Sequence, residues 1–141
     1  MKNMFFFLSI CYLLFSCSKT NDFDDIVANK WRQSDESKDC IIDFAKEMDF
    51  EWDSMCFYSG ALSLGDINKD LGFELKGFVD IGDRIVFLYK GKEVYHQDWF
   101  PNSGEPTEGV VFETEKDRFR LDKTNAKFKI TKHNKAYYLT K

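Results

Sequence analysis

The stretch RIVFLYKGKEVYHQDWF, residues 84–100, decides the fold class of this chain. It contains two runs of strand-favouring residues, 84–89 and 93–100, on either side of Lys90-Gly91-Lys92, a short glycine-containing connection typical of a β-hairpin. Residues 85–88 are all apolar, so the first strand presents apolar side chains to both faces of its sheet. We therefore expect this strand to be central and to be covered on both sides.

The region after this hairpin predicts four more strands. Ala126, Phe128 and Ile130 alternate with polar residues, which is the pattern of a half-buried strand. A segment with Pro, Asn, Ser and Gly predicts a loop between this region and the hairpin. The loop is expected at residues 101–108, and the strands at 110–114, 118–121, 126–132 and 135–140.

The region before the hairpin predicts two short helices, because apolar residues recur there at the three- and four-residue spacing of a helix. The second helix begins with Ser63 and Asp66 in a pattern that resembles an N-terminal capping box, with Asp where Glu is usual. It ends before Gly72, a residue suited to the position after a helix. The apolar positions are Phe23, Ile26, Val27 and Trp31 for a helix at 23–33, and Leu64, Ile67 and Leu71 for a helix at 63–71.

Together these elements predict one α+β domain over residues 23–141. We expect an antiparallel β-sheet of about six to seven strands with two short helices. The chain is 43% hydrophobic and 17% aromatic, which is enough apolar material for one core. Its 141 residues are too few for two domains of ordinary size.

The first residues have the composition of an export signal. Lys2 supplies a basic start, and residues 4–15 form an apolar run of about a dozen residues, shorter than the ~20 that a transmembrane helix needs. The run ends in Leu14-Phe15-Ser16-Cys17, with an aliphatic residue three positions before the cysteine and a small residue directly before it.

This pattern resembles the lipobox of bacterial lipoproteins, in which the cysteine thiol receives a diacylglyceryl group and the leader is cut before the cysteine. The resemblance implies a signal peptide over residues 1–16, lipid on Cys17 and a lipidated tether over 17–22. Ser18 resembles the outer-membrane sorting pattern of Gram-negative lipoproteins. The expected location is therefore the cell envelope, with the lipid on Cys17 in the membrane. The alternative is an ordinary secretory signal with an unrelated cysteine, and no family is recognised for residues 18–141.

Two cysteines remain in the part of the chain that is expected to fold. Residues 39–45 and 50–58 predict a further hairpin with a turn at 47–49, and in that register Cys40 lies opposite Cys56. Directly opposite Cβ atoms are ~4.5–5.5 Å apart, which is near disulfide distance. An exported protein permits a disulfide between them. Two buried reduced thiols are the alternative, and the sequence favours it.

Charge is distributed unevenly along the mature chain. Residues 17–115 contain 22 acidic and 10 basic residues, a net charge of −12, whereas residues 116–141 contain 2 acidic and 9 basic residues, a net charge of +7. We expect the two parts to neutralise each other across the sheet. Either part could instead attract an oppositely charged partner.

Four carboxylates alternate with apolar residues in the acidic part of the chain. If this segment is extended, Glu47, Asp49, Glu51 and Asp53 line one side of a strand. A solvated strand face is the default interpretation. The alternatives are a docking surface for a basic protein partner and a calcium site, although a flat strand rarely wraps the six to eight oxygens that calcium takes.

His96 and Asp98 are the nearest approach to a catalytic or metal pair, because they are two residues apart on one side of a predicted strand. Zinc would need two or three more ligands, and a hydrogen-bonded structural histidine is the favoured interpretation. The sequence contains no nucleophilic triad motif, phosphate-binding loop, CxxC or HExxH. We therefore predict no catalytic residues, no metal site and no cofactor.

The leading functional hypothesis is a non-enzymatic lipoprotein that binds a protein partner at the envelope, for example an immunity- or inhibitor-type protein. The first alternative is a hydrolase of envelope or nutrient polymers that uses His96 and a nearby carboxylate. The second is a structural subunit of an outer-membrane assembly. Nucleic acid is not an expected partner, given the envelope location and the acidic net charge of −4.

Overall fold

The computed structural model describes residues 22–35, 39–77, 82–99 and 108–141. The predicted signal peptide, Cys17 and almost all of the tether lie outside these residues and stay predictions, as do residues 101–107 of the loop predicted at 101–108. Glu108 is the first residue of a strand. None of the helices in the described ranges is long and apolar enough to cross a membrane. The helices are α1 (Phe23–Gln33), α2 (Phe44–Glu47) and α3 (Leu64–Leu71), and the strands are β1 (Ile41–Asp43), β2 (Ser54–Tyr58), β3 (Asp83–Tyr89), β4 (Lys92–Trp99), β5 (Glu108–Phe112), β6 (Arg118–Asp122), β7 (Lys127–His133) and β8 (Lys135–Thr140).

The described strands form two four-stranded sheets. The first sheet has the order β1-β7-β8-β5 and the second sheet has the order β4-β3-β2-β6. Every neighbouring pair is antiparallel except β5 and β8, which are parallel. The predicted α+β class is confirmed, with eight described strands in two sheets where about six to seven in one sheet were expected.

The predicted hairpin at residues 84–100 is present as β3 and β4. Its turn is Lys90-Gly91, and both residues have a positive φ, 52° and 74°. A two-residue hairpin turn of this kind needs left-handed backbone at both positions, which glycine adopts without strain. The connection is therefore one residue shorter than the predicted Lys90-Gly91-Lys92.

β3 is central in the second sheet and is covered on both faces, as its four apolar residues predicted. Ile85 and Phe87 belong to the main core between the two sheets. Val86 and Leu88 belong to a smaller cluster beneath α3, together with Ile67. Alternate side chains of a strand point to opposite faces, so an unbroken apolar run serves two packed layers at once.

Both predicted helices are confirmed within a residue of their expected bounds. α1 contributes Phe23, Val27 and Trp31 to the main core. In α3, Ser63 Oγ accepts a hydrogen bond from the backbone N–H of Asp66 at 3.2 Å and donates one to the Asp66 carboxylate at 2.6 Å. α2 is a single turn that the sequence did not predict, and the side chain of Asp43 caps it by accepting from the N–H of Ala45.

The predicted hairpin of residues 39–45 with 50–58 is wrong. β1 pairs with β7, with Ile42 opposite Phe128, and β2 lies between β3 and β6 in the other sheet. The sequence suggested two strands joined by a turn at 47–49, but the chain instead forms α2 and then an irregular segment before β2. Local alternation indicates which side chains face the core and does not determine which strands pair.

Because that hairpin does not form, Cys40 and Cys56 do not lie opposite each other as predicted. Cys40 lies in the main core and Cys56 lies in the cluster beneath α3, on the other face of the second sheet. Both are buried free thiols, so the disulfide interpretation is corrected to the alternative that the sequence favoured. Burial raises the pKa of the Cys56 thiol, because a thiolate would lose its hydration at that position.

Candidate functional site

An apolar pocket lies between the two sheets, where β6 faces the first sheet. Its volume is about 270 Å³. Three aromatic rings from three strands meet there: Phe112 lies 5.4 Å from Phe119 and 5.3 Å from Phe128, measured between ring centroids. Leu121 and Leu139 complete the apolar lining. Concave, largely apolar sites of this kind are where proteins most often bind small molecules.

The pocket follows from the alternation of β6. Arg118, Arg120 and Asp122 are exposed, whereas Phe119 and Leu121 point toward the main core and remain only half-buried. On the facing strand β7, Phe128 is buried. The core between the sheets is therefore open along β6, and apolar surface that the protein does not cover lines the opening.

Polar groups surround the mouth of the pocket. Glu113, Thr114, Lys116 and Lys141 line it together with the apolar residues. Lys141 Nζ lies 4.8 Å from the centroid of the Phe128 ring and donates a hydrogen bond to the backbone carbonyl of Asn125. Burial lowers the pKa of Lys141, and attraction to Asp122 opposes part of that shift. Two ammonium groups and one carboxylate thus border an apolar cavity.

The chain matches no protein-family model, no curated protein and no solved structure. Any function proposed for it therefore rests on the chemistry of its own side chains.

A second, shallower hollow adjoins the pocket on the outer side of β1 and β7. It has a volume of about 370 Å³ and shares Phe128 and Lys141 with the pocket. Ile41, at 57% exposure, lies beside it. Lys127 and Lys129 also line it, but each already pairs with a carboxylate, Asp43 at 3.7 Å and Asp39 at 3.8 Å.

The charge asymmetry of the sequence is partly neutralised within the fold, as expected. Besides the two lysine pairs on β7, Arg118 and Arg120 on β6 approach the carboxylate of Asp70 on α3 at 3.5 and 3.6 Å. Tyr58 also donates a hydrogen bond to Asp70 at 2.7 Å. Four of the basic residues near the C-terminus therefore form ion pairs with acidic residues from the first half of the domain.

The predicted acidic row does not exist as one strand face. Glu47 is in α2 and pairs with Lys30 at 2.7 Å, while Asp53 accepts a hydrogen bond from the backbone N–H of Lys90 at 2.6 Å. Asp49 and Glu51 are exposed in the irregular segment between them. Two of the four carboxylates thus form contacts with other parts of the fold. The helical turn of α2 also removes Glu47 from the expected alternation.

The described residues contain no group of three or more His, Cys, Asp or Glu that could hold a metal ion.

His96 and Asp98 have different partners and do not form a pair. The Asp98 carboxylate accepts two hydrogen bonds from the buried guanidinium of Arg84. His96 Nδ1 lies 2.5 Å from Glu93 Oε1, in an open groove that also contains Phe73 and Glu74. A pocket that united His96, Asp98 and another acid would have favoured hydrolysis, and the structure does not bring Asp98 to that groove.

Sequence reasoning missed the pocket, although it found every strand that lines it. The alternation of Phe119 and Leu121 with charged residues was available as a signal for inward-facing side chains. Nothing in that pattern indicates whether side chains of the facing sheet fill the space between β6 and that sheet. Incomplete burial of Phe119 and Leu121 is a property of the packed sheets, and the local pattern could not supply it.

Proposed function

We propose that this protein is a lipid-anchored, non-enzymatic binding module of the cell envelope, and that it binds a small amphipathic molecule in the pocket between its sheets. One observation carries the proposal: Phe112, Phe119, Leu121, Phe128 and Leu139 line a cavity that the fold leaves open. Phe119 and Leu121 are only half-buried there, and a ligand that covers them gains about 25 cal/mol for each Å² of apolar surface removed from water.

The ligand-binding hypothesis replaces the acidic docking surface as the leading interpretation. Of the four predicted carboxylates, Glu47 pairs with Lys30, and Asp53, although exposed, accepts a hydrogen bond from the backbone N–H of Lys90, which leaves the exposed Asp49 and Glu51 for a partner. Two separate surface carboxylates contribute little to a partner's affinity, because exposed ion pairs are each worth about 0–1 kcal/mol. The pocket offers apolar burial together with charged groups at its mouth, which is a stronger basis for recognition.

Anchoring at the envelope rests on Leu14-Phe15-Ser16-Cys17. We expect mass spectrometry of the protein purified from its native membrane to find a chain that begins at Cys17 and carries acyl groups on that residue. Each buried CH₂ contributes about 0.8 kcal/mol, so two or three chains hold the protein on the membrane. An intact leader, or an unmodified thiol at position 17, would contradict the anchoring.

Occupation of the pocket is tested with octanoate, a small amphiphile, and a variant that fills the cavity. In isothermal titration calorimetry we expect saturable binding to the full chain carrying Cys17→Ser, which removes the acylation site. Leu121→Trp should weaken binding by about tenfold or more, because each CH₂ that the indole displaces forfeits about 0.8 kcal/mol.

The matched control is Leu62→Trp. Leu62 is also a half-buried leucine, but it packs beside the cluster beneath α3, away from the pocket. It should leave octanoate binding unchanged. Equal loss in both variants, or full binding by Leu121→Trp, would show that the ligand does not occupy the pocket between the sheets.

A further inference from the structure

We infer that the pocket selects anionic amphiphiles, namely carboxylic acids with a short alkyl or aromatic body, and that Lys141 binds the carboxylate. This inference rests on the proposed function and adds the class of ligand and the residue that recognises it. The evidence is the arrangement of charge around the mouth, the environment of the Lys141 ammonium and the size of the cavity.

The charge at the mouth favours an anion. Lys116 and Lys141 supply two ammonium groups, and Glu113 supplies the one carboxylate side chain among the lining residues. Glu113, Lys116 and Lys141 are all exposed, so water screens each of them in part. Lys141 differs, because its ammonium rests against the Phe128 ring at the entrance to the apolar lining.

The Lys141 ammonium still has donors to offer. Such a group has three N–H donors, and the Asn125 carbonyl accepts one of them. Within the described ranges no Asp or Glu side chain lies within 4.0 Å of Nζ, whereas Lys127 and Lys129 nearby both have ion-pair partners. A carboxylate entering the mouth would therefore meet an ammonium that forms no ion pair within 4.0 Å with an Asp or Glu of the described residues.

The environment of Lys141 gives such a carboxylate an energetic advantage. Partial burial disfavours the charged form of this lysine and lowers its pKa, and attraction to Asp122 opposes only part of that shift. An anionic ligand would supply an adjacent counter-ion. Hydrogen bonds between charged partners are stronger than those between neutral groups, so an acid should bind better than a neutral molecule of the same shape.

The volume of the cavity matches that of a small ligand. At the ~30 Å³ that a water molecule occupies in the liquid, 270 Å³ corresponds to a molecule of roughly nine non-hydrogen atoms. A short-chain fatty acid or a small aromatic acid has this size. The apolar body would lie against Phe112, Phe119 and Leu121, with its carboxylate at the mouth beside Lys141.

The experiment compares three ligands of one shape: octanoate, its neutral amide octanamide, and octylammonium. Each is titrated by calorimetry into the full chain carrying Cys17→Ser. We expect octanoate to bind about tenfold more tightly than octanamide, as a hydrogen bond to a charged group predicts. Octylammonium should bind most weakly, because its charge opposes that of Lys141.

Three variants assign the preference to one residue. Lys141→Gln should lower octanoate affinity to that of octanamide and leave octanamide unchanged, whereas Lys141→Arg should keep the preference for the acid. Lys135→Gln is the matched control. Lys135 is an exposed lysine at the start of β8, the strand that ends just before Lys141, and it does not line the pocket.

The outcomes separate the two claims. Equal binding of octanoate and octanamide to the parent chain, or a preference for octanoate that survives in Lys141→Gln, would overturn the selection of anions by Lys141 while leaving the pocket as a binding site. Failure of both octanoate and octanamide to bind would overturn the proposed function, and this inference would fall with it.

Discussion

Phe87→Ala lowers the free energy of unfolding by about 3–5 kcal/mol, the usual cost of removing a buried phenylalanine ring. Phe87 is 0% exposed and lies on the central strand β3. Its ring centroid is 5.0 Å from that of Trp52, 5.6 Å from that of Phe50 and 6.0 Å from that of Tyr95. These edge-to-face contacts add to the free energy gained by burial.

The measurement is urea denaturation of the parent chain and the variant, followed by circular dichroism. A lower midpoint with an unchanged slope would report lost stability. Phe73→Ala serves as the control, because Phe73 is half-buried at the edge of the cluster beneath α3; we expect it to cost less than half as much. A loss below about 1 kcal/mol for Phe87→Ala would contradict the position of β3 between two packed layers.

Arg84→Met lowers the free energy of unfolding by a similar amount, about 3–5 kcal/mol. Arg84 is 1% exposed and the Asp98 side chain is 6% exposed. Nε and Nη2 of the guanidinium each donate to one oxygen of the carboxylate, in the two-pronged geometry that suits arginine. The variant removes both hydrogen bonds and leaves the carboxylate in a site that is largely closed to water.

Two comparisons make this prediction specific to the buried pair. Lys129→Met should change stability by less than about 1 kcal/mol, because its partner Asp39 is 96% exposed and surface ion pairs contribute little. The double variant Arg84→Met with Asp98→Leu should be more stable than Arg84→Met alone, since it removes the stranded charge as well. A double variant that is as unstable as the single one would show that the pair is not the cause of the loss.

The sequence predicted most of the local structure because local structure depends on residues that are close in the chain. The spacing of Phe23, Val27 and Trp31 indicated α1, and the unbroken apolar run at residues 85–88 indicated a strand packed on both faces. Both signals are one-dimensional, since side chains three or four apart share a helix face and side chains two apart share a strand face.

The segment around residues 44–53 shows where such signals fail. Met48 and Trp52 are buried and Asp49, Glu51 and Asp53 are exposed, so the inward and outward directions agree with the expected alternation. The backbone that produces them is a helical turn followed by irregular structure. Alternation constrained which side chains face the core, but it did not identify the strand partners, and the predicted opposition of Cys40 and Cys56 was therefore wrong.

By itself, the sequence determined the fold class, the central covered strand, both longer helices and the inward side of the strand at 126–132. Only the tertiary structure decided that the strands form two sheets and that a cavity remains beside Phe119 and Lys141. The reason is that these features join residues far apart in the chain. Whether two distant surfaces fill the space between them depends on the volumes and directions of all the side chains that meet there, which no local pattern encodes.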